Sequence, residues 1–118
     1  MTVTIYHNPR CSKSRQTLQL LRDRGIEPTI IEYLKTPPDA KQLRAILNML
    51  GLSPRELMRK KEPEYRDLGL DGDHLTDEAL IEAMISHPRL MERPIVIAEG
   101  RAALGRPPEK VLEILSLS

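Results

Sequence analysis

The sequence predicts a single α/β domain on a four-stranded mixed sheet, and three observations carry that prediction. Near the N-terminus, Thr2 to Tyr6 alternates apolar Val3 and Ile5 with polar neighbours. It leads through Cys11 into an amphipathic run and then a second β-branched segment, a βαβ unit. Near the C-terminus, two short strand-like segments and a helical one make ββα. Between them, residues 39 to 87 read as consecutive helices without a convincing strand. The expected organisation is one domain over residues 1–118, with a core from 1–36 and 88–118 and a helical insertion of about 37–87.

Each element has local signals. Asn8-Pro9 ends the first strand; from Ser12 the pattern is helical, with Leu18, Leu20 and Leu21 opposite Arg15, Gln19, Arg22 and Asp23, until Gly25 supplies a stop. Thr29 to Tyr33 is the second strand, and a helix of about a dozen residues suits a right-handed crossover. After Thr36-Pro37-Pro38, Asp39 caps a helix with Gln42 as box partner and Leu43, Ile46, Leu47 and Leu50 as its apolar stripe, ended by Gly51. Ser53-Pro54-Arg55-Glu56 starts a short helix expected to carry Leu57, Met58 and Arg59 and to close at Pro63. Thr76 caps another with Leu80, Ile81, Met84 and Ile85 on its apolar face, ending at His87-Pro88. Ile95 to Ala98 and Arg101 to Leu104 form a hairpin about Glu99-Gly100. Arg106-Pro107-Pro108-Glu109 opens a last helix with Val111, Leu112, Ile114 and Leu115 on one face.

Composition excludes several classes of function. The chain has 118 residues, with neither Phe nor Trp and three Tyr, so the core must be aliphatic and base stacking has little to work with. Eighteen basic against seventeen acidic residues leave a formal charge of +1, which argues against a nucleic-acid backbone or an anionic membrane as the main partner. One cysteine makes no internal disulfide, the N-terminal residues lack a signal-peptide pattern, and no apolar run reaches the roughly 18 residues that span a bilayer. A cytoplasmic location is the expectation. No metal site and no tightly bound cofactor are expected.

The chemistry centres on Cys11. It falls at the start of a helix with His7, Arg10, Lys13 and Arg15 within four positions, where cations and unpaired backbone N–H groups favour thiolate. A thiol of pKa about 8.5 is only a few per cent ionised at pH 7, whereas lowering it by about two units makes roughly three-quarters of it thiolate. His7 either contributes charge or orients the turn, and Ser12 and Ser14 either cap the helix or hydrogen-bond the sulfur. Ser14 leaves a Cys-x-x-Ser in place of Cys-x-x-Cys. With one thiol, any redox cycle needs an external thiol.

The element order, with a cysteine after the first strand and Pro94 before the third, resembles the thioredoxin fold with a helical insertion. Tyr6-His7-Asn8-Pro9, Cys11, Ser14-Arg15 and Thr17-Leu18 resemble the active-site segment of the ArsC family, the glutaredoxin-dependent arsenate reductases. Arg59, Glu92-Arg93-Pro94-Ile95-Val96 and Gly105-Arg106-Pro107 resemble its other signature regions. The resemblance implies that Cys11 is the nucleophile, that Arg59, Arg93 and Arg106 hold an oxyanion, and that Pro94 is cis. It also implies arsenate as substrate, glutathione as co-substrate and glutaredoxin as partner. A tetrahedral anion suits planar guanidinium forks, provided that no competing carboxylate lies close by.

Three rivals remain. The phosphatase-like arsenate reductases need an arginine where this chain has Thr17, and further cysteines. Spx-like polymerase-binding regulators share the fold, but their redox switch is a Cys-x-x-Cys. A glutathione-dependent thiol oxidoreductase of another substrate is the third. The chain ends at Ser118, short of the fullest family members, which bears on efficiency more than chemistry.

Overall fold

Strand β1 (Val3–His7) leads to helix α1 (Ser12–Asp23) and β2 (Thr29–Glu32). In the computed structural model, which describes residues 2–115, these are followed by α2 (Ala40–Leu50), α3 (Pro54–Leu57), α4 (Pro63–Asp67) and α5 (Asp77–Ser86). Then come a 3-10 turn (Pro88–Leu90), β3 (Ile95–Ala98), β4 (Arg101–Leu104), a second 3-10 turn (Pro108–Val111) and α6 (Leu112–Leu115). The chain divides into two compact units. One joins the residues up to Thr36 with those from Arg93 onward; the other runs from Pro37 to Glu92.

In the first unit the sheet order is β2-β1-β3-β4. β1 and β2 are parallel, as the crossover helix requires, while β1 with β3 and β3 with β4 are antiparallel. Register places Val3 beside Ala98 and Ile5 beside Val96. Strand alternation therefore sets these four on one face, where they bury against Leu21 of α1 and against Val111 and Ile114. Glu99 and Gly100 both have positive φ, 53° and 73°, as a two-residue type I′ hairpin turn needs. The last helix differs from the expected single α-helix, because it opens as the 3-10 turn before α6.

In the second unit the capping boxes of Asp39 with Gln42 and of Ser53 with Glu56 are both formed. Leu43, Ile46 and Leu47 of α2 and Leu80, Ile81 and Met84 of α5 are buried, while Leu50 and Ile85 stay half-exposed. The expectation for 57–63 is corrected. Helix α3 stops at Leu57, because Met58 turns extended and pairs with Met91 in an antiparallel bridge. The Arg59 N–H donates to Leu90 O at 2.6 Å and the Glu92 N–H to Leu57 O at 2.8 Å, so Arg59 lies on this bridge and not on a helix. Pro63 does not close a helix but opens α4, at the first position where a missing N–H costs nothing. Among the described residues no helix is long and apolar enough to cross a membrane.

Arg55 ties this unit together. Its guanidinium donates to Tyr65 Oη at 2.6 Å, Leu70 O at 2.8 Å and Gly72 O at 2.8 Å, closing the 63–72 segment over α3. Replacing Arg55 by Ala is expected to cost about 2–3 kcal/mol, since three acceptors lose a charged donor at once. Urea denaturation should show a lower midpoint with an unchanged slope.

Candidate functional site

Sheet topology gathers one end of the first unit. β1 runs antiparallel to β3, and β3 to β4, so the residues after β1, before β3 and after β4 meet at the same edge. These are His7 to Cys11, Arg93-Pro94 and Gly105-Arg106. The Gly105 N–H donates to Pro94 O at 3.0 Å, and Arg106 Nη1 to Arg93 O at 3.1 Å. Both the Arg93-Pro94 and Arg106-Pro107 peptide bonds are cis; the second was not anticipated from sequence. A side chain at Gly105 would collide with Thr17 and with the Pro94 ring. Only glycine lets β4 pass this close to α1.

Cys11 is the N-cap of α1, half-buried, with its N–H donating to Asn8 O at 3.0 Å. Burial, the largest single influence, pushes its thiol up. The Ser14 N–H, the Arg93 guanidinium and the Lys13 N–H outweigh that and leave the pKa below the ordinary cysteine value. The cation that matters is therefore Arg93, supplied by the sheet. Of the cations near Cys11 in sequence, Arg15 is used to hold the loop, donating from Nη1 to Pro9 O at 3.0 Å.

The other loop residues form a second layer behind the sulfur. His7 Nδ1 and Ser14 Oγ lie 2.6 Å apart, both residues buried, and Ser14 Oγ also accepts the Asn8 N–H at 3.0 Å. Ser14 thus reaches the sulfur through its backbone while its hydroxyl faces inward; neither Ser12 nor Ser14 caps the helix by a side chain. His7 thus makes the kind of hydrogen bond an orienting role would use. Burial lowers its pKa first; the Glu32 carboxylate raises it, and Arg22 and Arg15 lower it further, with a net fall that favours neutral imidazole. Asn8 Oδ1 accepts the Arg10 N–H at 3.0 Å, a turn whose signal, Asn before Pro, was legible in the sequence but given no role beyond ending the strand.

Arg59 belongs to the other unit. Its Nε lies 3.2 Å from Glu62 Oε1 and its Nη1 3.3 Å from Glu92 Oε1. This corrects the expectation that the candidate oxyanion arginines lack nearby carboxylates. The i, i+3 spacing of Arg59 and Glu62 was visible in the sequence, whereas the Glu92 partner depends on the Met58–Met91 bridge.

Comparisons with known proteins agree with this architecture. The ArsC family model matches residues 6–114. The chain is 60% identical over 114 residues to an Escherichia coli protein named uncharacterized protein YfgD, the match covering 96% of each. It is 52% identical over 114 residues to an arsenate reductase of Neisseria meningitidis, covering 96% of this chain and 97% of that one. A solved structure of an arsenate reductase from Vibrio cholerae superposes with a TM-score of 0.94 at 53% identity, covering 97% and 98% of the two chains. The fold is thioredoxin-like with a four-stranded mixed sheet.

Two titrations test this arrangement. Iodoacetamide alkylation of Cys11 should rise with pH with a midpoint below that of the same cysteine in the urea-unfolded chain, and Arg93→Met should move that midpoint upward. For His7 the unfolded chain binds the extra proton. Its contribution to stability is thus full above the ordinary imidazole value of about 6.5 and is lost as pH falls through the lowered folded value. Denaturation midpoints measured against pH should show that fall, and His7→Gln should flatten it.

Proposed function

This chain belongs to the ArsC family, and from that premise we propose that it is an arsenate reductase, an oxidoreductase that converts arsenate to arsenite with thiols as reductant. The observation that carries this reading is a thiol held below its ordinary pKa by Arg93 and by the first N–H groups of α1. It lies in a chain about half identical to arsenate reductases.

The chemistry follows from one cysteine. The Cys11 thiolate attacks arsenic(V), and a protonated oxygen leaves as water, giving a thiol–arsenate adduct. Arg59, Arg93 and Arg106 hold the anion through guanidinium forks, and the α1 N–H groups add donors. A glutathione thiol then displaces a second oxygen as water. Glutaredoxin thiolate attacks the glutathione sulfur, which departs as a mixed disulfide and leaves its bonding pair on arsenic, now arsenic(III). Hydrolysis of the remaining sulfur–arsenic bond releases arsenite and returns Cys11. An external thiol is obligatory, because Ser14 stands where a resolving cysteine would be. Reducing thiols of this kind place the reaction in the cytoplasm.

The supporting residues act on geometry. His7 and Ser14 fix the loop from one side, Arg15 holds it at Pro9, and Pro94 follows the arginine that reaches the thiol.

The test is arsenate-dependent NADPH oxidation coupled through glutathione reductase, with glutathione and glutaredoxin present. Turnover is expected in the parent protein and its loss in Cys11→Ser, with the circular dichroism spectrum retained. Arsenate reduction by Cys11→Ser would refute the scheme. No arsenate-dependent rate in the parent, with the thiol still reactive, would redirect the reading to a thiol oxidoreductase of another substrate. Affinity for the polymerase α subunit in its place would indicate a regulator of the Spx-like class.

A further inference from the structure

Arg59 sits beside carboxylates, which oppose an incoming anion. Its guanidinium is braced by Glu62 at Nε and by Glu92 at Nη1, at 3.2 and 3.3 Å. Arg89 Nη2 lies 3.2 Å from the second oxygen of Glu62, and Arg89 Nη1 lies 3.8 Å from Glu64. The side chains of Arg59, Glu62 and Glu92 are only 21%, 14% and 25% exposed. Arg59 and Arg89 thus face the carboxylates of Glu62, Glu64 and Glu92.

This group is built by the backbone. The Met58–Met91 bridge and the flanking bonds from the Arg59 N–H to Leu90 O and from the Glu92 N–H to Leu57 O set Arg59 diagonally across from Glu92 on two chain segments. A guanidinium has five N–H donors. The contacts above engage Nε and Nη1, and Nη2 makes no hydrogen bond among the described residues, so donors remain for a ligand.

Any anion that takes those donors arrives beside two carboxylates. A fully deprotonated tetrahedral anion such as sulfate meets their repulsion and has no proton to offer them. Arsenate and phosphate still carry a proton near neutral pH, and their O–H can donate to a carboxylate oxygen, which turns the repulsion into a charge-assisted hydrogen bond. We propose that Glu62 and Glu92 make the Arg59 subsite selective for protonated tetrahedral oxyanions over fully deprotonated ones. The proposal rests on the assignment of Arg59 to oxyanion binding made above, and it gives the two glutamates a role in specificity that leaves the redox chemistry to Cys11.

The test is isothermal titration calorimetry near pH 7 on the full chain with arsenate, phosphate, sulfate and monofluorophosphate. The last is a tetrahedral dianion like hydrogen phosphate but lacks the proton. Arsenate and phosphate should bind at least about tenfold more tightly than sulfate and fluorophosphate, the scale of a single hydrogen bond to a charged group. In Glu92→Gln and in the double variant Glu62→Gln/Glu92→Gln, sulfate affinity should rise and the preference shrink at least about threefold. A gain of affinity cannot come from a damaged fold, and the fluorophosphate comparison needs no variant at all. Equal binding of phosphate and fluorophosphate by the parent, an unchanged preference in folded variants, or no binding of any of the four anions overturns the proposal. Selectivity without arsenate turnover would sink the reductase reading alone; turnover without selectivity would sink this inference alone.

Discussion

The contact between the Arg93 guanidinium and the Cys11 sulfur is the interaction on which the rest of this protein's chemistry depends. Burial works against it. A half-buried thiol is pushed up in pKa, and the directed donors outweigh that push. Two of those donors are backbone N–H groups that any helix start provides. The third comes from Arg93, two residues before β3 and far along the chain, and it reaches the sulfur because β1 and β3 run antiparallel side by side. The reactivity of one atom is thus a property of strand order.

The loop around the sulfur is held from behind so that its donors stay aimed. A buried hydroxyl at Ser14 serves both the His7 ring and the Asn8 N–H, and a neutral imidazole is what that enclosure favours. Close packing continues at Gly105, where the end of β4 lies against Thr17 and Pro94 with no room for a side chain. Positions 7 and 14 are joined by a hydrogen bond, positions 17, 94 and 105 by close packing, and Cys11 is half-buried beside them. Rigid support of this kind is what nucleophilic chemistry asks of a fold, since a misplaced donor neither lowers a pKa nor meets an oxyanion.

The unit from Pro37 to Glu92 shows a different balance. There an arginine is paired with two carboxylates on a backbone bridge, and a second arginine neutralises one of them from its far side. Such a group makes sense where an anion must be chosen and not only held. Positive charge alone attracts every oxyanion. Adjacent carboxylates add a requirement for a proton on the ligand, which separates anions of the same shape.

Much of this was legible in the sequence, because it rests on signals that neighbouring residues complete among themselves. Hydrophobic period, the Asp39 and Ser53 capping boxes, the Thr76 cap, the Glu99-Gly100 turn and the position of Cys11 at a helix start all act within a few residues, and all appear where expected. What only the tertiary structure decided are the relations between distant segments. The helix at 54–57 ends early because Met91 claims the backbone of Met58, and Pro63 then starts a helix where it was expected to end one. Arg93 displaces the nearby cations as the partner of the thiol, and Glu92 joins Arg59. The physical reason is the same in each case: a hydrogen bond or ion pair between chain-distant groups exists only once the sheet or bridge has brought them together, and no local pattern records it.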